Sequence, residues 1–309
     1  MQSTNTILMI RPVNFRMNEQ TAVNNYFQKD LDVQNSAVNS KAQQEFDTFV
    51  AILRDKGVHV IVIEDTKTPD TPDSIFPNNW ISFHEEGIVG LYPMFAENRR
   101  KERREDVLDV LEENGFVIKD IIDYTAAESE GFFLEATGSM ALDRVNKKAY
   151  CALSGRADES LFIEFCEDFE YSPVIFTAYQ SVAGKRMPIY HTNVMMCLAD
   201  TFAVICLDTI DDKKEKKNVV NHLKEDGKEI ITITEAQMHH FAGNMLQVLG
   251  ANNEPLLVMS TQAYKSLTQP QIATIEKHCG IVHSSLETIE TCGGGSARCM
   301  MAEVFLPKA

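Results

Sequence analysis

A cysteine, a histidine and a glutamate stand at matching points of a repeated pattern, and together these residue types can run nucleophilic chemistry. Cys299 ends the run Gly293-Gly294-Gly295-Ser296-Ala297-Arg298-Cys299. Three glycines let the backbone pass close to a ligand, and Arg298 is expected to add positive charge that favours a thiolate. The heptapeptide alone fits a buried thiol at a strand start equally well. His191 follows Pro188-Ile189-Tyr190 and precedes an apolar stretch. An imidazole titrates near neutrality, so beside a nucleophilic cysteine it is the natural proton carrier. Glu135 comes after Phe132-Phe133-Leu134. A carboxylate drawn into an apolar setting needs a partner, and an imidazolium suits it.

The elements that would bring these residues together repeat along the chain. Segments 80–94, 139–153, 194–208 and 245–259 each read as apolar strand, turn signal, apolar strand, the pattern of a β-hairpin. A helical pattern follows each, over about residues 97–113, 157–169, 211–225 and 264–278, and then a further strand. Gly115, Gly227 and Gly280 are placed as C-caps for three of these helices. The fifth unit is split: residues 298–306 form one strand, and 6–11, a helix near 42–56 and a strand at 59–64 supply the rest. Five ββαβ units of roughly 55 residues thus predict a five-bladed α/β propeller with pseudo-five-fold symmetry, closed by pairing the first and last strands. It occupies residues 1–309 as a single catalytic domain. A doubly wound sheet is the alternative, but it needs no hairpin in every repeat, and no GxGxxG or GxxxxGK[ST] phosphate loop is present. In the propeller, the starts of the first hairpin strands converge at one end of the axis. Those positions are Asn78 and Asn79, Glu135, His191 with Asn193, Asn244, and Cys299.

Composition narrows the function classes. The formal net charge is -16, from 45 acidic and 29 basic residues, which disfavours a nucleic-acid partner. The Lys213–Lys217 run reads as a solvated helix face. Seven cysteines without CxxC spacing, behind a polar N-terminus, point to reduced thiols and a cytoplasmic location. No apolar run is long enough for a membrane span. Glu235 and His239 lie one helical turn apart but lack further ligands, so they read as surface or loop residues and not as a metal centre. Trp80 reads as core. No cofactor is expected.

These motifs, in this order, resemble the guanidino-group-modifying, or pentein, superfamily of arginine deiminases, dimethylarginine dimethylaminohydrolases and amidinotransferases. GGGSARCMM is similar to the C-terminal cysteine motif of the deiminases, LEATGSM to their LEGGDVL, and His191-Thr192-Asn193 to their HxD. Pro72–Asn79 is similar to the dimethylaminohydrolase PDSVFVED, Asn98–Glu102 to its SRRKE, and Ala152–Arg156 to its substrate-carboxylate arginine motif. FPNNW, the arginine run and LEATGSM together most resemble the citrulline-utilisation hydrolases. The resemblance implies catalysis by Cys299, His191 and Glu135, and substrate binding by Asp73, Asn78, Asn79, Arg99, Arg156 and Asn193. The partner is then a small amino acid. Oligomeric state is not legible, a homodimer being one arrangement open to the chain.

Four departures bear on the substrate. The guanidinium-binding carboxylates of VFVED are Asn78 and Asn79, the Asp of HxD is Asn193, and the Asp of LEGGD is Gly138. A guanidinium prefers carboxylate partners, whereas a neutral ureido group matches amides. The expected reaction is therefore hydrolysis of citrulline to ornithine, ammonia and carbon dioxide. Arginine or methylarginine hydrolysis and amidino transfer remain alternatives. A non-catalytic binding protein on the same fold, like the ribosome-associated initiation factor of this superfamily, would be expected to lack the nucleophile.

Overall fold

The computed structural model describes residues 1–31 and 34–309. Five three-stranded sheets recur, each with the same order and sense. They comprise Ala302–Glu303, Thr6–Arg11 and His59–Glu64; Ile81–Phe83, Ile88–Leu91 and Asp120–Asp123; Met140–Asp143, Lys148–Leu153 and Ser172–Thr177; Met196–Leu198, Phe202–Ile205 and Glu229–Thr232; and Leu246–Leu249, Pro255–Ser260 and Gly280–Ser284. In every sheet the first strand runs antiparallel to the central one, and the third runs parallel to it. A parallel return needs a crossover, and a helix supplies it each time. The N- and C-terminal segments meet in one sheet, where Ile7 faces Glu303 and Leu8 faces Ala302.

Central strands such as Phe202–Ile205 are apolar throughout and wholly buried, as strands covered on both faces must be. Crossover helices start at side-chain caps: Asp158 accepts from the N–H groups of Ser160 and Leu161, and Asp212 from those of Lys214 and Glu215. The Lys213–Glu225 helix carries the lysine run on an outward face, with Val219 and Leu223 turned to the core. Trp80 is buried in a cluster with Leu8, Ile61 and Phe83.

Several local expectations are corrected. The helix over 97–113 opens as a 3-10 turn, Arg99–Glu102, and becomes α-helical only at Asp106–Glu113. Arg99 and Glu102 turn inward as an ion pair at 2.9 Å, which a solvent-facing helix would forbid. The helix over 264–278 breaks into Thr261–Ser266 and Gln269–Glu276, because Thr268 caps a new start and Pro270 has no N–H to continue the old ladder. Gly280 begins a strand instead of capping a helix. Residues 179–188 form an unanticipated hairpin, Tyr179–Val182 with Lys185–Pro188, turned through Ala183 (φ 48°) and Gly184 (φ 77°). The strand expected over 298–306 shrinks to Ala302–Glu303, and Ala297–Met300 before it is a 3-10 turn.

Candidate active site

Single helical turns, not strand starts, carry the candidate residues. Pro77–Asn79, Ala136–Ser139, Thr192–Met195 and Ala297–Met300 each stand just before the first strand of a unit. Glu135 and His191 occupy the residue immediately before two of these turns. Ala136, next to Glu135, is held at φ 37°, and Phe241, near Asn244, at φ 62°. Non-glycine residues in such conformations cost on the order of 1–3 kcal/mol each and persist only where surrounding structure imposes them.

A small cavity opens onto Cys299 and His191, with Asp73, Asn79, Arg99 and Arg156 in its wall. Glu135 lies behind His191, its Oε2 2.7 Å from Nε2 of the ring. Burial alone would raise the Glu135 carboxyl, but Arg156, then His191 and Arg99, pull it well below the usual range. An ionised carboxylate can only accept, so Nε2 carries the proton and Nδ1 is left for proton transfer. Burial pushes His191 down to about 4, so at neutral pH the imidazole is uncharged in the ligand-free protein. The other Glu135 oxygen accepts from the Phe95 N–H at 3.0 Å, which leaves the carboxylate no freedom to turn.

Cys299 is buried, and its sulfur is surrounded by amides: Nδ2 of Asn244 at 3.2 Å and Nδ2 of Asn193 at 3.5 Å. Arg298 does not supply the expected charge there. Its guanidinium points away, to the Met301 carbonyl at 2.8 Å and to Glu303 at 2.9 Å. The side chains of adjacent residues on a tight turn diverge, so proximity in sequence gave no contact. Three other cysteines, Cys166, Cys197 and Cys206, are apolar-packed thiols that burial pushes up to about 12. Their inertness is structural.

The two asparagines of FPNNW diverge in role. Asn79 lines the cavity, accepting from Arg99 at 2.8 Å and donating to Asn78 at 3.1 Å. Asn78 stands behind it, bonded to Thr137 at 3.3 Å. Gly138 explains the missing aspartate of LEGGD: a Cβ there would sit 2.4 Å from Asn79 Nδ2 and 2.9 Å from His191 Nδ1. Asn193 approaches the sulfur from outside the cavity wall.

Arg99 is buried and saturated, with both Glu102 oxygens at 2.9 Å, Asn79 at 2.8 Å and the Phe76 carbonyl at 3.1 Å. Arg156 is held by two bonds to Asn24, by the Thr21 carbonyl and, at 3.4 Å, by Glu135, with its guanidinium 4.9 Å from the Tyr190 ring centre. Asp73 accepts from Asn18 at 2.8 Å and Thr21 at 3.1 Å through one oxygen, while its other oxygen is buried without a partner.

One wall escaped the sequence reading. Residues 18–28 fold over the cavity, where Asn25 and Gln28 donate to the Gly293 carbonyl at 3.3 and 2.9 Å. The amide-rich run Asn18, Gln20, Asn24, Asn25, Gln28 was the available signal. Tyr190 closes another side through a 2.6 Å bond from its hydroxyl to the Gly294 carbonyl.

Similarity to known proteins agrees with this geometry. Residues 11–306 match the family described as N,N dimethylarginine dimethylhydrolase, eukaryotic. No curated protein matches the chain in sequence. Among solved structures, ArgZ, an arginine dihydrolase from the ornithine-ammonia cycle in Cyanobacteria, superposes with a TM-score of 0.73 at 16% identity. The match covers 98% of this chain and 41% of ArgZ, so the chain spans less than half of that protein. The N-terminal domain of ArgZ bound to product gives 0.68 at 16% identity over 98% of this chain and 99% of the domain. A dimethylarginine dimethylaminohydrolase variant, as its adduct with S-methyl-L-thiocitrulline, gives 0.65 at 14% identity over 98% and 100%. Because the family match runs through all five sheets, the chain belongs to the N,N-dimethylarginine dimethylhydrolase family, in the pentein superfamily.

Proposed function

We propose that this enzyme hydrolyses citrulline to ornithine, ammonia and carbon dioxide, with Cys299 as nucleophile, His191 as proton carrier and Glu135 as its orienting partner. The five units form one catalytic propeller over residues 1–309, working in the cytosol, a location that fits its seven free cysteines. The observation that carries the substrate is the uncharged amide of Asn79, which lines the cavity together with Cys299 and His191. A neutral ureido group is matched by amides, which offer both donors and an acceptor.

The proton moves in a closed cycle. Neutral His191 takes the thiol proton as sulfur bonds to the ureido carbon, and Glu135 stabilises the imidazolium so formed. The imidazolium then protonates the departing ornithine nitrogen, and an S-carbamoyl cysteine remains. Water, deprotonated by His191, adds to that carbonyl and expels the thiolate, which regains its proton. The carbamic acid released breaks down to ammonia and carbon dioxide. Arg156 pairs with the substrate α-carboxylate, because a planar guanidinium suits a carboxylate, while Arg99, held by Glu102, fixes Asn79. Asn79, backed by Asn78, holds the ureido end.

One observation favours arginine as a second substrate. The unpartnered Asp73 oxygen is a buried acceptor, and burial raises that carboxyl. A guanidinium would supply the missing donor and charge. A mass-spectrometric screen of citrulline, arginine, dimethylarginine and agmatine tests both readings. Ornithine and ammonia should appear fastest from citrulline, and Cys299→Ser should abolish it. Turnover of arginine with none of citrulline overturns the neutral-substrate reading, and undiminished turnover in Cys299→Ser overturns the mechanism.

A further inference from the structure

The side chain closest to the Cys299 sulfur among its hydrogen-bond partners is neither His191 nor an arginine but Asn244, at 3.2 Å. Its amide is fixed by the contacts of its other atoms. Oδ1 accepts the backbone N–H of Arg298 at 3.0 Å, and Nδ2 also donates to the Asn193 carbonyl at 3.0 Å. Rotating the amide by half a turn would set Oδ1 against that carbonyl and Nδ2 against an N–H. The hydrogen-bond network therefore admits one orientation, with an N–H aimed at sulfur.

The backbone is shaped to hold it there. A Cβ at Gly243 would lie 2.3 Å from the Val194 carbonyl oxygen, so only glycine lets this segment close on the turn that carries Asn193. Asn244 itself is fully buried, and so is the sulfur's second amide, on Asn193. A thiol needs no such donor. An anionic sulfur does, and in a buried site a pre-oriented N–H stabilises it without reorganisation. Arg298, which could have supplied charge, is committed to Glu303.

We propose that Asn244 is a catalytic residue that stabilises the anionic sulfur of Cys299 through a fixed amide N–H, so that this enzyme activates its nucleophile with neutral dipoles. The inference rests on Cys299 being the nucleophile, but its test needs no turnover. Ligand-free wild type, Asn244→Ala and Asn244→Asp are alkylated with iodoacetamide from pH 5 to 10, and Cys299 modification is followed by mass spectrometry. Asn244→Asp keeps an acceptor for the Arg298 N–H while removing the donor, and it decides the matter should the alanine variant fail to fold. Near neutral pH, alkylation should slow roughly 10- to 100-fold, the ratio expected for losing one hydrogen bond to a charged group. The whole profile should move to higher pH, with the alkaline plateau kept. A folded variant with the wild-type pH profile, or one slowed equally at every pH, overturns the proposal. Loss of citrulline turnover in Cys299→Ser is a separate result, so failure of the functional reading is distinguishable from failure of this one.

Discussion

The cavity has two ends that solve opposite electrostatic problems. Around the sulfur, Asn193 and Asn244 offer neutral amides, that of Asn244 fixed by backbone contacts. At the other end, Asp73, Arg99, Glu102, Arg156 and Glu135 hold ionisable groups out of water and pair them with one another. Buried charges are tolerated only when paired, and removing one partner of such a pair costs far more than the pair contributes. Dipoles carry no such liability. The sulfur end can therefore meet a reacting group whose charge changes, while the proposed amino-acid substrate would be gripped at the charged end. Within the charged end, Arg99 is bound by both Glu102 oxygens at 2.9 Å, whereas Arg156 meets its carboxylate partner, Glu135, only at 3.4 Å.

Variants at the two ends should behave differently. The largest effect belongs to Cys299→Ser, which should lower turnover on the order of 10⁴-fold or more while leaving the thermal midpoint near that of wild type. Glu135→Gln comes next. It should lower kcat about 10²- to 10⁴-fold, since the imidazolium loses its counter-charge and its tautomer is no longer enforced. A loss confined to KM would move Glu135 from the chemistry to the charged grip.

Arg156→Ala should raise KM for citrulline about 10- to 100-fold and spare agmatine, which lacks the carboxylate. Equal kcat losses on both would show instead that Arg156 serves Glu135. Asn79→Asp tests the neutral end directly: preference should shift roughly tenfold toward arginine, because a buried carboxylate is paired by a cation and stranded by a ureido group. An unchanged ratio would remove Asn79 from discrimination.

The smallest effect is on stability. Unfolded, His191 charges as pH falls below 6.5, whereas folded it stays neutral down to about 4. The unfolded state thus binds more protons in that window, so this contribution to stability is present above pH 6.5 and lost as pH falls toward 4. The depressed Glu135 carboxyl acts in the same direction, with its contribution lost at lower pH. The difference between the folded and unfolded imidazole corresponds to on the order of 3 kcal/mol at most. Urea midpoints should fall between pH 7 and pH 5 in wild type and fall less in His191→Asn. A flat wild-type midpoint would contradict the neutral buried imidazole.

Hairpin periodicity made the repeat readable, because alternating apolar residues around turn signals are local information. The N-terminal strand Thr6–Arg11 and the strand His59–Glu64 appear with the bounds expected. Helix breaks at Pro270 and at Arg99–Glu102 were harder to see, since an inward ion pair and a new cap compete with helical spacing. The order of motifs sufficed for the family, and six of the nine proposed site residues line one cavity.

What the sequence determined by itself was the inventory and its spacing: a glutamate and a histidine one repeat apart, a cysteine two repeats further on, amides where relatives carry carboxylates, and glycine at 138. Where each side chain points was decided by tertiary structure. Arg298 and Cys299 are neighbours in the chain yet serve opposite surroundings, while Asn244 reaches the sulfur across 55 residues. Spacing fixes which backbone positions converge, but only packing and hydrogen-bond satisfaction select a rotamer. Charge pairing then follows the rotamers, which is why Arg99 ends on Glu102 and His191 on Glu135.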